Sequence, residues 1–179
     1  MGSAALAKLG YDDCRAHPAW IPPAEWLGAA GATDALHLLS HQPKGRLHSQ
    51  LETGPSSRED KRNGREQVRL NPDDAATRGI ADGQTVRLWN DRGACLATAR
   101  LTADQRPGVA VLPTGAWLTE QADGPELAGN PNVLTMDVGT SQFGQGCSAQ
   151  TCLVRIAPHD DNPGDAIEIY QAQLTALLT

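Results

Sequence analysis

Short apolar runs, broken at regular intervals by turn residues, dominate the pattern of this chain. Ala35 to Leu39 is the first run and reads as a core strand. Gln67 to Leu70 alternates polar and apolar, as a strand with one buried face does. Thr85 to Trp89 sets Val86 and Leu88 on one face, Asn90-Asp91-Arg92-Gly93 is a hairpin signal, and Ala94 to Leu101 is the return strand. Arg106-Pro107-Gly108 turns into a buried strand over Val109 to Leu112, and Cys152 to Ile156 closes the set. Asn71-Pro72-Asp73-Asp74 starts a helix, with Asn as cap, Pro in the first turn and acids at the positive end of the dipole. Gly79 ends it in a left-handed cap. Short strands, frequent turns and short helices predict a mainly β protein, a small barrel with helical insertions. Periodicity does not choose between one barrel and another.

Three regions follow. Residues 1–35 form a lead-in arm, residues 36–157 the barrel and residues 158–179 a C-terminal helix. In the arm, Ala4 to Leu9 reads as a helical tail, and Pro18, Pro22 and Pro23 exclude a long helix after it. Pro23 to Leu27 predicts one helical turn, and Trp20 and Trp26 are expected to be buried against the body. At the other end, Ile167, Tyr170, Leu174 and Leu177 line one side of a helix over Asp165 to Leu178. Packing on the barrel and an oligomer contact both suit that side.

The chain has 179 residues, enough for one domain with a real core. Hydrophobic residues make up 40% but aromatic ones only 4%, so the core must rest on Leu, Val, Ile and Ala. A net charge of -6 argues against a nucleic-acid or anionic-membrane binder. Between residues 41 and 65 the sign reverses: Lys44, Arg46, Arg58, Lys61, Arg62 and Arg65 stand against Glu52, Glu59 and Asp60. Residues 52–65 read as a loop, with Arg58 to Arg65 solvated. Cys14, Cys95, Cys147 and Cys152 have no zinc-like spacing and read as free thiols, a Cys147–Cys152 bridge being the alternative.

Candidate chemistry concentrates in His37 to Leu51. This stretch begins as a strand, breaks at Pro43 and then presents Ser, His, Gln, Lys and Arg side chains in succession. Arg and Lys supply charge-assisted bonds to phosphate oxygens, and His, Ser and Gln pair with ring nitrogens and carbonyls. A phosphate role is expected of Lys44 and Arg46. Asn132, in the turn-rich Gly129-Asn130-Pro131-Asn132, offers an amide donor and acceptor together, although Asn there also forms turns. His17, His37 and His159 are assigned to structure or solvent. The paired acids Asp12-Asp13, Asp73-Asp74 and Asp160-Asp161 sit in turns or caps and do not form acid–base pairs.

The same stretch, with Gly10-Tyr11-Asp12-Asp13-Cys14, Pro23-Ala24-Glu25-Trp26-Leu27-Gly28, Asn71-Pro72-Asp73-Asp74-Ala75-Ala76, Gly115-Ala116-Trp117 and Asp137-Val138-Gly139-Thr140-Ser141, resembles the last domain of molybdenum-dependent reductases. These are the dimethyl sulfoxide, trimethylamine N-oxide and biotin sulfoxide reductases. The resemblance runs in order from about Gly10 to Ile156. It implies a six-stranded double-psi β-barrel that binds molybdopterin guanine dinucleotide. By motif, Ser40, His41, Gln42 and Pro43 would line the cofactor, Arg46 would meet a phosphate, and His48, Ser49 and Gln50 would meet pterin or phosphate. Asn132, Ala149 and Gln150 would form a second contact set. Many members carry Asn where His41 stands and His where Gln150 stands, which for Gln150 leaves a main-chain contact.

The resemblance gives no molybdenum ligand and no catalytic residue within this chain. The remaining domains or subunit of the reductase would supply them, so the chain is expected to be catalytically incomplete. Met1-Gly2-Ser3 favours an excised domain over a natural subunit, and an isolated domain would tend to self-associate. A stand-alone double-psi barrel enzyme and a cofactor-free assembly module are the alternatives.

Overall fold

Six strands close on themselves in the computed structural model, which describes residues 3–15, 17–29, 32–148 and 150–179. They are β1 (Leu36–Leu39), β2 (Gln67–Leu70), β3 (Thr85–Trp89), β4 (Ala94–Leu101), β5 (Val109–Val111) and β6 (Cys152–Pro158). The order around the barrel is β1-β5-β2-β4-β3-β6. β1 runs parallel to β5 and β2 parallel to β4, whereas the other pairs are antiparallel. Closure removes every free edge. Strand number, closure and mixed pairing agree with the barrel that the resemblance implies.

Alternation along the strands fills the interior. Leu36, Leu38, Val68, Leu70, Val86, Leu88, Val154 and Ile156 are buried, with Cys95, Ala97 and Ala99 from β4 between them. Small residues on β4 leave room for the leucines opposite. The outward side of β4 is covered too. Leu96 packs with Ala116, Leu127, Ala128 and Ala166 in a second apolar cluster. Ala166 belongs to α4 (Ala166–Leu178), so this cluster is what docks the C-terminal helix.

Asp165 caps α4 by accepting from the N–H groups of Ile167 and Glu168. Gly64 lets that helix end approach. Its φ is +70°, and a Cβ there would stand 2.6 Å from the Ile167 nitrogen. Only the first turns of α4 pack on the barrel. Ala166 and Ile167 are buried and Tyr170 half-buried, but Leu174 and Leu177 are exposed, Leu177 by 83%.

Several expectations need correction. Residues 52–65 are solvated only in part: Arg58, Glu59, Asp60 and Arg62 are exposed, but the stretch contains α2 (Pro55–Glu59), and Ser57, Lys61 and Arg65 are buried. Arg65 is fully enclosed, its Nη1 donating to the Asn63 and Gly164 carbonyls. Burial pulls its pKa down, while Asp165 and Glu126 oppose the shift. Charge composition cannot reveal the burial of Arg65, because Gly164, Asp165 and Glu126 come from about 60 to 100 residues further along the chain.

The arm follows the prediction only in part. Its tail is a short helix, α1 (Ala4–Ala7), but Pro23 to Leu27 forms no helical turn. Trp20 is 72% exposed, touching Trp26 edge-on at 6.1 Å instead of entering the core. A charge pair holds the arm. Glu25 meets Arg92 of the β3–β4 turn and accepts from the Leu153 N–H at 2.7 Å. Arg92 also donates to the Leu134 carbonyl at 2.6 Å. None of the four cysteines forms a disulfide among the described residues, so there is no Cys147–Cys152 bridge.

Candidate functional site

A groove of about 650 Å³ opens where the turn after β1 meets the loop after β5. Gln42, His48 and Ser49 form one wall, Thr114 to Leu118 the other, and Asn132 and Tyr170 its ends. The residues come from segments far apart in the chain, and each is held from behind.

The first wall is built on Gln42. Its side-chain oxygen accepts from the His48 N–H at 3.0 Å, and its amide nitrogen lies 2.9 Å from His48 Nδ1. An amide nitrogen only donates, so His48 Nδ1 accepts and the imidazole keeps Nε2 for other partners. His48 sits at φ +51°, a left-handed conformation that the paired bonds to Gln42 stabilise. The facing wall approaches at Gly115, with φ +91°; a Cβ there would lie 2.0 Å from the His48 carbonyl oxygen. Trp117 Nε1 donates to the Ser49 carbonyl at 2.8 Å and closes the floor.

Asn132 is carried on a 3-10 turn over Pro131–Val133. Asn130 caps this turn and donates to the Ala116 carbonyl at 2.9 Å, so its role is structural. Glu126 braces the same loop by accepting from the N–H groups of Thr119, Ala128, Gly129 and Asn130 at 2.8–3.2 Å. Burial pushes its carboxyl above the ordinary range, against the pull of those four donors.

Arg46 does not line the groove. Its Nη2 lies 2.7 Å from Glu66 and 2.8 Å from the Thr114 carbonyl, and its Nη1 donates to Ser57. Its Nε donates to the His48 carbonyl at 3.1 Å and lies 2.9 Å from the Glu52 carboxylate. Lys61 completes the cluster by pairing with both Glu52 and Glu66. The guanidinium is sealed, so the expected phosphate contact gives way to a brace that ties the two walls together through His48 and Thr114.

The other expected contacts are spread around the turn. His41 and Pro43 face a separate cleft on the far side of the turn from Gln42. Ser40 is buried, its Oγ without a partner among the described residues. The Gln150 side chain is spent on the Ser40 backbone, accepting from its N–H at 2.9 Å and donating to its carbonyl at 2.6 Å. The Gln150 carbonyl lies 2.7 Å from His37 Nε2, so that oxygen already has one partner. Gln50 is exposed and outside the groove. Ala149 lies outside the described residues.

Sequence reasoning missed two ring systems. Trp117 and Tyr170 pack at 5.1 Å with planes tilted by 53°, and both line the groove. In a chain with 4% aromatics, Trp117 beside Gly115 was the available signal. Tyr170 had none, because it arrives from the end of the chain through the docking of α4.

Chemically, the groove offers amides, an imidazole, the hydroxyls of Ser49, Thr114 and Tyr170, and two aromatic rings. That set suits a planar, polar heterocycle. It does not suit a metal held by protein alone, since no group of three His, Cys, Asp or Glu side chains converges among the described residues.

The sequence profile of the molydopterin dinucleotide binding domain matches residues 36–153, well over half of the chain. Biotin sulfoxide reductase of Cereibacter sphaeroides is 68% identical over 179 residues, which span 99% of this chain and 24% of that protein. Dimethyl sulfoxide/trimethylamine N-oxide reductase of the same organism is 44% identical over 163 residues, 88% of this chain and 20% of that one. The chain thus spans about a quarter or less of the length of these curated relatives. Among solved structures, acetylene hydratase from Pelobacter acetylenicus superimposes with a TM-score of 0.67 over 88% of this chain and 23% of its own, at 18% identity. That last likeness concerns the fold alone.

Proposed function

The chain belongs to the molydopterin dinucleotide binding domain family, and we propose from this premise that the groove holds part of a molybdopterin guanine dinucleotide within an S-oxide or N-oxide reductase. The observation that carries the reading is the convergence of Gln42, His48, Ser49 and Asn132 on one groove that Trp117 and Tyr170 also line. Planar ring edges pair with the amides and imidazole, and ring faces pack on the aromatic residues. The cofactor's molybdenum, when bound, supplies the oxygen-atom and electron transfer chemistry. This chain's residues bind and orient the organic part. Arg46 acts indirectly by fixing the carbonyls of His48 and Thr114.

The metal's protein ligand and the oxide-binding funnel belong, in this reading, to the rest of the reductase. Exposed Leu118, Leu174 and Leu177 give the remaining domains an apolar surface to cover.

Titrating the 179-residue chain with extracted pterin dinucleotide tests the reading by NMR. Resonances of Gln42, His48 and Asn132 should move and saturate. Asn132→Ala should weaken binding by about 0.5–1.5 kcal/mol, the worth of a neutral hydrogen bond. No movement at millimolar ligand would remove the reading. Reduction of an S-oxide by this chain alone would overturn its catalytic incompleteness.

A further inference from the structure

The turn that forms one wall of the groove also roofs a second concavity. Gln42 points into the groove, whereas His41 and Pro43 on either side of it line a cleft of about 180 Å³ with Lys44, Arg69, Arg100 and Pro113. Arg69 and Arg100 are direct partners in the parallel β2–β4 ladder, so their side chains leave the same face of the barrel side by side. Among the described residues, no carboxylate stands within ion-pair distance of Lys44, Arg69 or Arg100. Asp60 and Glu66 also border the cleft, but Glu66 is already paired with Arg46 and Lys61.

One of these cations is aimed. Arg69 Nη2 lies 2.8 Å from His41 Nε2. A guanidinium only donates, so His41 Nε2 accepts, and His41 Nδ1 donates to the Gln42 carbonyl at 2.6 Å. The ring therefore links Arg69 to the backbone of the groove wall. Two prolines flank the cleft and lower the local dielectric, which strengthens any charge interaction inside it.

We propose that this cleft is an anion site that takes a phosphate or diphosphate group through Lys44, Arg69 and Arg100. Adjacent like charges with no carboxylate at ion-pair distance repel, and an oxyanion relieves that repulsion. The fork geometry of two neighbouring guanidiniums matches several phosphate oxygens at once. The phosphate can belong to a dinucleotide that reaches over the turn from the groove, or to a separate phosphorylated ligand. The anion site stands whether or not the groove takes the dinucleotide.

Inorganic pyrophosphate is the probe. Titrated into the full chain, it should shift the side-chain Nε–H resonances of Arg69 and Arg100 saturably, with affinity falling as salt is raised. Arg69→Gln with Arg100→Gln should weaken binding at least about tenfold, the loss expected for a charge-assisted bond. Asn132→Ala should leave pyrophosphate affinity unchanged, which separates failure of this site from failure of the groove. Absence of saturable shifts, or unchanged affinity in the folded double variant, overturns the proposal. Competition by the pterin dinucleotide assigns the phosphate to the cofactor, and binding of both together assigns it to a separate ligand.

Discussion

Arg46 Nη2 lies 2.7 Å from Glu66 Oε1, with both side chains closed off from solvent. Together with Glu52 and Lys61 they form a buried cluster of two cations and two anions. Removing one member leaves uncompensated charge in a low-dielectric setting. Arg46→Ala should therefore destabilise the chain by about 3–5 kcal/mol in chemical denaturation. Arg46→Lys should not restore it, because the ammonium cannot reach Glu66, Ser57 and Thr114 together. A loss below about 1 kcal/mol for the alanine variant would deny the brace.

Gly115 is held where a side chain has no room. Gly115→Ala combines a left-handed φ with a Cβ 2.0 Å from the His48 carbonyl. The conformation alone costs about 1 kcal/mol, and the clash adds to it. Dinucleotide affinity should fall with stability, since His48 must move away from Gln42. Crystallography or the His48 amide shift would show the displacement.

Docking of the arm should depend on pH through Glu25. Burial alone would raise its pKa, but the hydrogen bond from Arg92, the Leu153 N–H and the Arg92 charge together hold it below the ordinary value. A depressed folded pKa gives stability that is present above the unfolded pKa and is lost as pH falls through the folded one. The Leu153 amide resonance should thus be constant near neutrality and move only below about pH 4, the ordinary carboxylate range. Glu25→Gln should abolish most of that movement. A transition near neutral pH in the parent protein would contradict the assignment.

Tyr170 carries a contribution from outside the matched family segment. Tyr170→Ala removes the packing on Trp117 at 5.1 Å and should cost about 0.5–1.5 kcal/mol in stability beyond its buried area. It should also weaken dinucleotide binding by opening one end of the groove. Equal affinity in parent and variant, measured by calorimetry, would confine Tyr170 to structure.

Local chemistry made much of the barrel legible. Asn71 and Pro72 open a helix wherever they stand before an apolar turn, and α3 (Pro72–Ala76) begins there with Asn71 accepting from the Asp73 N–H. The 90–93 turn joins β3 to β4 as its residues require. His48, Gln42 and Asn132 could be named because each stands in a motif of the family that the chain resembles. Arg46 could not be placed, since a guanidinium that meets phosphate and one that meets Glu66 look identical in sequence. The same holds for Gln150, whose amide pairs with a backbone 110 residues away.

Alternating apolarity and turn chemistry along the chain determined the strands, to within two residues at their ends, and the polar turn after β1, because these depend on neighbours a few residues apart. Closure of the barrel, with the docking of α4 on it, decided the rest. It turned Arg46 inward, set Arg69 beside Arg100 and brought Tyr170 to Trp117. Long-range pairing assigns each side chain to interior, groove or cleft, and no local pattern carries that information.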